Sequence, residues 1–320
     1  VVNSVLRNLS KRTSDEVQTV DQDKLHAQWY SFPAWLLERW EDRFGRELTL
    51  DLISWLNQPA PLDVRLNLNQ LSPGEFLDRM KADEIQLQPH ENSDCFFRIL
   101  FGGQKVRHHP LLSNGTMTIQ DRASGAVVEL LDPQPGETIL DVCAAPGTKT
   151  GYIAERMKKE GRILACDNSP DRLPKHFSDE TGIIRWQLAD ARTHSYPVAD
   201  RILVDAPCTG TGVIGRKPDI RWRRTPDMIH EMTELQLDIL TNVCQSLVPG
   251  GIMIYATCSL EEEENWKVVE AFLKLNKHFI VEDGGKWLPP QWISERGELS
   301  TFPPRDKVDG MFAVRLKHVC

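Results

Sequence analysis

Two cysteines, Cys208 and Cys258, stand where covalent chemistry would need them. Each follows a run of apolar residues and opens a polar turn: residues 202–212 read ILVDAPCTGTG and residues 251–259 read GIMIYATCS. Such runs predict buried strands, and in an open α/β sheet ligands sit at the carboxyl ends of strands. A free thiol titrates near ~8.5 and becomes a competent nucleophile when its surroundings lower that value. Two thiols and the carboxylate of Asp205, brought to one crevice, could add to an electron-poor ring carbon and later release it. Cys143, Cys166 and Cys244 also lie near strands or in a helix and read as small buried hydrophobes.

A second constellation precedes this one. Residues 140–150, LDVCAAPGTKT, form a turn of small residues opening a helix. Small residues let a ligand approach the backbone, and a helix N-terminus offers free N–H groups to an anion. Neither GxGxxG nor GxxxxGK[ST] is present, so the turn is not built for pyrophosphate. It suits one small anionic group, such as the carboxylate of S-adenosylmethionine. Acids at successive strand ends strengthen this reading. Asp167 comes about 20 residues after Gly147, the spacing at which an acid grips ribose hydroxyls. Asp190, after the third strand, could accept from an adenine amino group, and Asp205 follows the fourth. With Asp141 on the first strand, the series points to a cofactor bearing a nucleoside.

The elements that must carry these residues alternate in type. Strands are predicted at 138–142, 162–166, 184–188, 201–204 and 251–255, with 312–316 as a late edge strand. Helices are predicted at 123–131, 149–158, 170–177, 226–247 and 262–275. This order gives an α/β fold with a mostly parallel, doubly wound, Rossmann-like sheet over residues 123–320. Before it, residues 61–122 read as a small α+β unit, with a strand at 62–68, a helix entered by Ser-Pro-Gly-Glu at 72–80 and a strand at 95–101. Residues 32–56 suggest two short helices broken at Gly45. Residues 1–12 have helical spacing and 13–24 form a polar linker.

Composition excludes several classes. The 320-residue chain is 40% hydrophobic and 26% charged, ordinary for a globular protein, and no apolar run approaches a membrane span. Seven scattered cysteines without a CxxC pair argue against a disulfide framework or a metal site and for a reducing, cytoplasmic compartment. The net charge of −8 does not itself suggest nucleic acid. Locally, residues 216–224 (RKPDIRWRR) carry five bases and Trp222, which reads either as a solvated face or as an RNA contact.

Thiols beside a methyl donor suggest one reaction in particular. C5 of cytosine is a poor nucleophile until a thiolate adds to C6 and makes it enamine-like. At DAPCTGTG and YATCS together, the chain resembles the RNA cytosine-C5 methyltransferases, and among them the bacterial Sun-type 16S ribosomal RNA enzymes. LDVCAAPGTKT, ACDNS (165–169), LAD (188–190), KPDIRW (217–222), VPGG (248–251) and VDGMFAVRL (308–316) occur in the family's order, and the resemblance runs over residues 26–320.

The resemblance implies that Cys258 is the nucleophile and that Cys208 assists release of the methylated RNA. It implies that Cys143, Ala144, Ala145, Pro146, Gly147, Thr148, Lys149, Asp167, Asp190 and Asp205 hold S-adenosylmethionine. Residues 26–122 would be a helical segment with an RRM-like domain that helps grip ribosomal RNA, and residues 1–25 the last helix and linker of a NusB-like domain. The enzyme would act as a monomer without metal. Three departures bear on this: Thr148 replaces a family glycine, so the loop must avoid a positive φ there or bear strain; Trp266 stands where the family usually has Glu; and Gly215-Arg216-Lys217 before the PDI stretch is more basic than the pattern needs. Competing readings are a non-catalytic RNA-binding assembly factor with the same fold, and a dehydrogenase, for which the missing GxGxxG is poor support.

Overall fold

Apolar strands alternating with amphipathic helices build one large twisted sheet, and a smaller sheet packs on its flank. The computed structural model describes residues 30–173 and 182–319. The expectations for residues 1–25, for 174–177 of the helix at 170–177 and for Cys320 lie outside the described residues; residues 170–173 form a turn.

The chain enters through α1 (Ala34–Phe44) and α2 (Arg46–Leu56), which meet at Gly45, where φ is 79°. Their buried faces, with Leu36, Trp40, Leu52 and Leu56, form a core with Val213, Ile214, Ile220 and Leu260 from the loops that carry the cysteines. Thus the helix pair is packed against the far half of the sequence.

The smaller sheet has the order β2-β3-β1-β4, all antiparallel: β1 (Asp63–Leu66), β2 (Gln86–Pro89), β3 (Phe96–Phe101) and β4 (Met117–Ile119). Helix α3 (Pro73–Ala82) connects β1 to β2 and begins with the expected capping box, in which Ser72 and Glu75 satisfy each other's backbone N–H. The short strands β2 and β4 had no apolar alternation to announce them. This unit rests on α4 (Arg122–Leu131), where Gly125 leaves room for the Phe96 ring; a Cβ there would lie 2.1 Å from the ring.

The large sheet has the order β10-β12-β9-β8-β5-β6-β7, with β11 (Leu299–Ser300) paired to β12. Strands β5 (Thr138–Val142), β6 (Arg162–Asp167), β7 (Ile184–Leu188), β8 (Ala199–Asp205) and β9 (Leu247–Thr257) run parallel. Between them lie α5 (Thr148–Arg156) after β5 and α6 (Pro226–Val243) before β9; α7 (Trp266–Leu275) follows. Buried on both faces, β8 reads as a continuous apolar run because Ile202, Leu203 and Val204 are all sealed.

One strand assignment changes. β12 (Phe312–His318) is not an edge: it lies between β9 and β10 (Phe279–Glu282), antiparallel to both. Ala313, Val314 and Leu316 are fully buried, and Arg315 is held inside by Glu282 at 2.9 Å and by the carbonyl of Leu130 at 2.7 Å. The four-residue β10 takes the edge.

The two sheets are joined by a buried charge. Arg65 on β1, 1% exposed, donates to both oxygens of Glu155 on α5 (3.1 and 2.6 Å) and to Gln120, and stacks 4.3 Å over Tyr152. Among the described residues no helix is long and apolar enough to cross a membrane.

Candidate active site

The strand order reverses at β5, with β6 on one side and β8 on the other, so a crevice opens at their carboxyl ends. Neighbouring parallel strands end side by side. β8 stops at Asp205, in register with Ala256 near the end of β9, and the loops that follow leave the sheet together. They bring Cys208 Sγ to 3.4 Å from Cys258 Sγ, with both thiols partly exposed.

Both loops are pinned from behind. The Gly212 N–H donates to the Cys258 carbonyl at 2.9 Å, and Gln236 Nε2 donates to the Pro207 carbonyl at 2.8 Å. Glu264, sealed from solvent, accepts from the Thr209 N–H at 2.7 Å, from Gln236 at 3.1 Å and from the hydroxyls of Thr209 and Ser259. Burial raises its pKa while these donors oppose that rise. Asn265 accepts from Thr257 Oγ1 and donates to the Ser259 carbonyl at 2.9 Å.

Within the run 261–264, Glu262 is exposed and Glu263 half-buried, whereas Glu264 is turned inward. Glu261 is also sealed, bonded to Arg39 and to Trp40 Nε1 of α1. The partial exposure of Cys258 comes from the crevice.

Charge distinguishes the two sulfurs. Lys149 Nζ, from the first turn of α5, donates to Asp205 Oδ2 at 2.7 Å. The hydrogen bond from Cys208 lowers the Cys258 pKa; burial and Asp205 oppose this, and the charges of Lys149 and Lys217 assist it, so the thiol lies below its ordinary value. Cys208 is pushed up by that same bond, by burial and by the carboxylate of Glu264. Of the two sulfurs, Cys258 is thus the one whose surroundings favour the thiolate.

Gly212 carries a consequence for stability. Its carbonyl accepts from the Gly310 N–H at 3.0 Å, and a Cβ there would lie 2.3 Å from the Gly310 oxygen. Backbone cannot yield as a side-chain end can. Gly212→Ala is expected to destabilise the fold by about 1–3 kcal/mol and to disorder the cysteine loop; thermal unfolding indistinguishable from the native chain would show that the loop is not so tightly seated.

Comparison with known proteins gives the family of the chain. Residues 128–317 match the 16S rRNA methyltransferase RsmB/F family, and residues 32–100 match the ferredoxin-like domain of RsmF/B-like methyltransferases. The chain belongs to the RsmB/F family of 16S rRNA methyltransferases. A probable ribosomal RNA small subunit methyltransferase B of Synechocystis is 33% identical over 99% of this chain and 74% of its own length. That of Bacillus subtilis is 34% identical over 99% and 73%. A methyltransferase homolog from Pyrococcus horikoshii has a TM-score of 0.75 and 26% identity, covering 93% of this chain and 98% of its own.

As in the RsmB/F family at large, the methyl donor is S-adenosylmethionine, and the crevice fits it. No side chain caps α5, so the N–H groups of its first turn are open to an anion. Gly147, with φ 104°, lets the loop lie against Trp186, where a Cβ would come within 2.9 Å of the ring. Asp167, 2% exposed, is fixed by the N–H groups of Ala145 (3.2 Å) and Ser169 (3.0 Å). Asp190 is gripped by Arg192 in a forked pair, with its closest contact at 2.7 Å, which lowers its pKa. Cys143, Ala144, Ala145, Pro146 and Thr148 line the same turn, with Cys143 in the left-handed region at φ 61° and its thiol pushed up by burial.

The structure decides between the alternatives at Thr148 and places Asp141 and Trp266 in supporting positions. Thr148 opens α5 and carries no positive φ, so the missing family glycine brings no strain. Asp141 faces inward, accepting from Thr150 Oγ1 at 2.6 Å and pushed up to about 7 by burial; it supports the turn from beneath. Trp266 packs edge-on against Phe312 at 6.0 Å, a core role. Among the described residues no cluster could hold a metal ion.

Sequence reasoning missed Glu264 and Gln236, which fix the loops, and placed Lys149 only with the cofactor. No local pattern distinguishes Glu264 from its acidic neighbours.

Proposed function

We propose that this chain transfers a methyl group from S-adenosylmethionine to C5 of a cytosine in 16S ribosomal RNA, through a covalent bond between Cys258 and C6. The observation that carries this reading is the 3.4 Å contact of the sulfurs of two partly exposed cysteines at the crevice, beside Lys149 bonded to Asp205.

Cys258 attacks C6 as the thiolate; the C6–S bond forms and the electron pair of the C5–C6 double bond shifts to C5. Bound S-adenosylmethionine supplies the electrophilic methyl that C5 receives. The C5 proton must then pass to a base, for which the Cys208 sulfur is in reach; the C5–H bonding pair reforms the double bond as the C6–S bond breaks and Cys258 departs as the thiolate. Cys208, adjacent to Cys258, is the group in reach to assist that release. Asp205, oriented by Lys149, faces the crevice as an acceptor for the pyrimidine edge. The first turn of α5 and Asp167 and Asp190 hold the donor. A paired base cannot enter such a crevice, so the target is extruded or single-stranded, and the smaller sheet helps grip the flanking RNA.

The test is transfer of tritiated methyl to 16S RNA from cells lacking the modification, followed by identification of the labelled base. Label on another base, or none, would refute the proposal; RNA binding without transfer would favour the assembly-factor reading.

The depressed pKa of Cys258 makes a further prediction. The reactive thiolate exists above that pKa and is lost as pH falls through it. Alkylation of Cys258 by iodoacetamide should rise with pH and level off below the range of an ordinary thiol. Lys149→Met, which removes a cation favouring the thiolate, should move that limb to higher pH. An unmoved profile would remove Lys149 from the activation of sulfur.

A further inference from the structure

The basic run at 216–224 separates into two sets. Arg216 is bound by Asp309 (2.6 Å) and Asp121 (2.8 Å). Arg221 is buried, donates to the Leu56 carbonyl at 3.0 Å and lies 4.1 Å over Phe32. These two hold the fold. Lys217, Trp222 and Arg223 are exposed, and Arg224 is half-buried.

Trp222 is 62% exposed, and among the described residues its ring contacts no aromatic or cation. The short helix that carries it, Ile220–Arg223, is seated on the cysteine loop. A Cβ on Gly210 would lie 3.1 Å from Ile220 Cδ1 and 3.9 Å from Cys258 Sγ. Arg224 Nε donates at 2.9 Å to the carbonyl of Thr209, the residue after Cys208. So an exposed indole and three cations stand at the rim of the thiol crevice; of the three, Arg223 is held by a solvent-exposed pair with Asp219 at 3.1 Å, which a phosphate would have to displace. The chain as a whole carries −8, and RNA must therefore be held by local positive charge.

We propose that Trp222 is a stacking platform for an RNA base next to the target nucleotide, with Lys217, Arg223 and Arg224 engaging the adjoining phosphates. Extruding a base deprives its neighbour of a stacking partner, and a fixed aromatic face replaces it without regard to base identity. This inference rests on the RNA methyltransferase reading above and deepens it.

The test uses the full chain and an unmodified 16S RNA transcript, with S-adenosylhomocysteine present. Trp222→Ala should weaken RNA binding by about tenfold or more, and Trp222→Phe should restore it to within about threefold. The dependence of binding on salt should be the same for both, because stacking displaces no counterions. In methyl transfer, Trp222→Ala should raise the KM for RNA with kcat and S-adenosylmethionine affinity unchanged, which also shows that the variant is folded. Equal RNA affinity for the native chain and Trp222→Ala would overturn the platform. A native chain that binds RNA through Trp222 yet methylates no cytosine would refute the reading of the preceding section and leave the platform standing. A native chain that does not bind the transcript would overturn both.

Discussion

Cys258→Ala is expected to lower methyl transfer by about 10⁴-fold or more, the scale seen when a covalent nucleophile is deleted. Without addition at C6, C5 of cytosine stays aromatic and does not attack a sulfonium methyl. Binding should survive, because Cys258 is partly exposed at the crevice and the loops are held by backbone and by Glu264. Single-turnover transfer with saturating RNA, beside calorimetry with S-adenosylmethionine, separates the chemical step from binding. Turnover within tenfold of the native rate would mean that another group carries the addition. Cys208 is the candidate in that event, 3.4 Å away.

Cys208→Ala should produce the opposite result, accumulation. With Cys258 intact the C6–S bond forms, but the step that ends the adduct loses its assisting thiol. A protein–RNA species stable in denaturant should collect in the presence of donor and be absent from the Cys208→Ala/Cys258→Ala double variant. The same substitution removes the hydrogen bond that lowers the Cys258 pKa, so the adduct should form more slowly at low pH than at high. Free multiple turnover by Cys208→Ala, with no adduct on a denaturing gel, would overturn the assigned roles. Both experiments read the sulfur pair directly.

Much of this was legible because it is local. The strand-end acids, the small-residue turn at 140–150 and the two cysteine turns each sit within one stretch of chain, where apolar runs and glycines mark them. What stayed hidden depends on contacts between distant residues. Within four consecutive glutamates, nothing local announces that Glu261 is drawn inward by Arg39 and Trp40, more than 200 positions earlier. Glu264 turns in only because Thr209 and Gln236 offer donors there. The short strands β2, β4 and β10 escaped notice since three or four residues carry too little periodicity. The basic run mixed fold-holding Arg216 and Arg221 with outward Lys217 and Arg223, a division that spacing does not encode.

Arg65 sets a limit on how substrate can be accommodated. Its guanidinium, closed off from water and forked onto Glu155, would cost about 3–5 kcal/mol to part from its carboxylate. Swinging the smaller sheet away from the large one would have to break this pair. Under the reading proposed above, RNA lying across both sheets would meet a fixed distance between the smaller sheet and the two sulfurs.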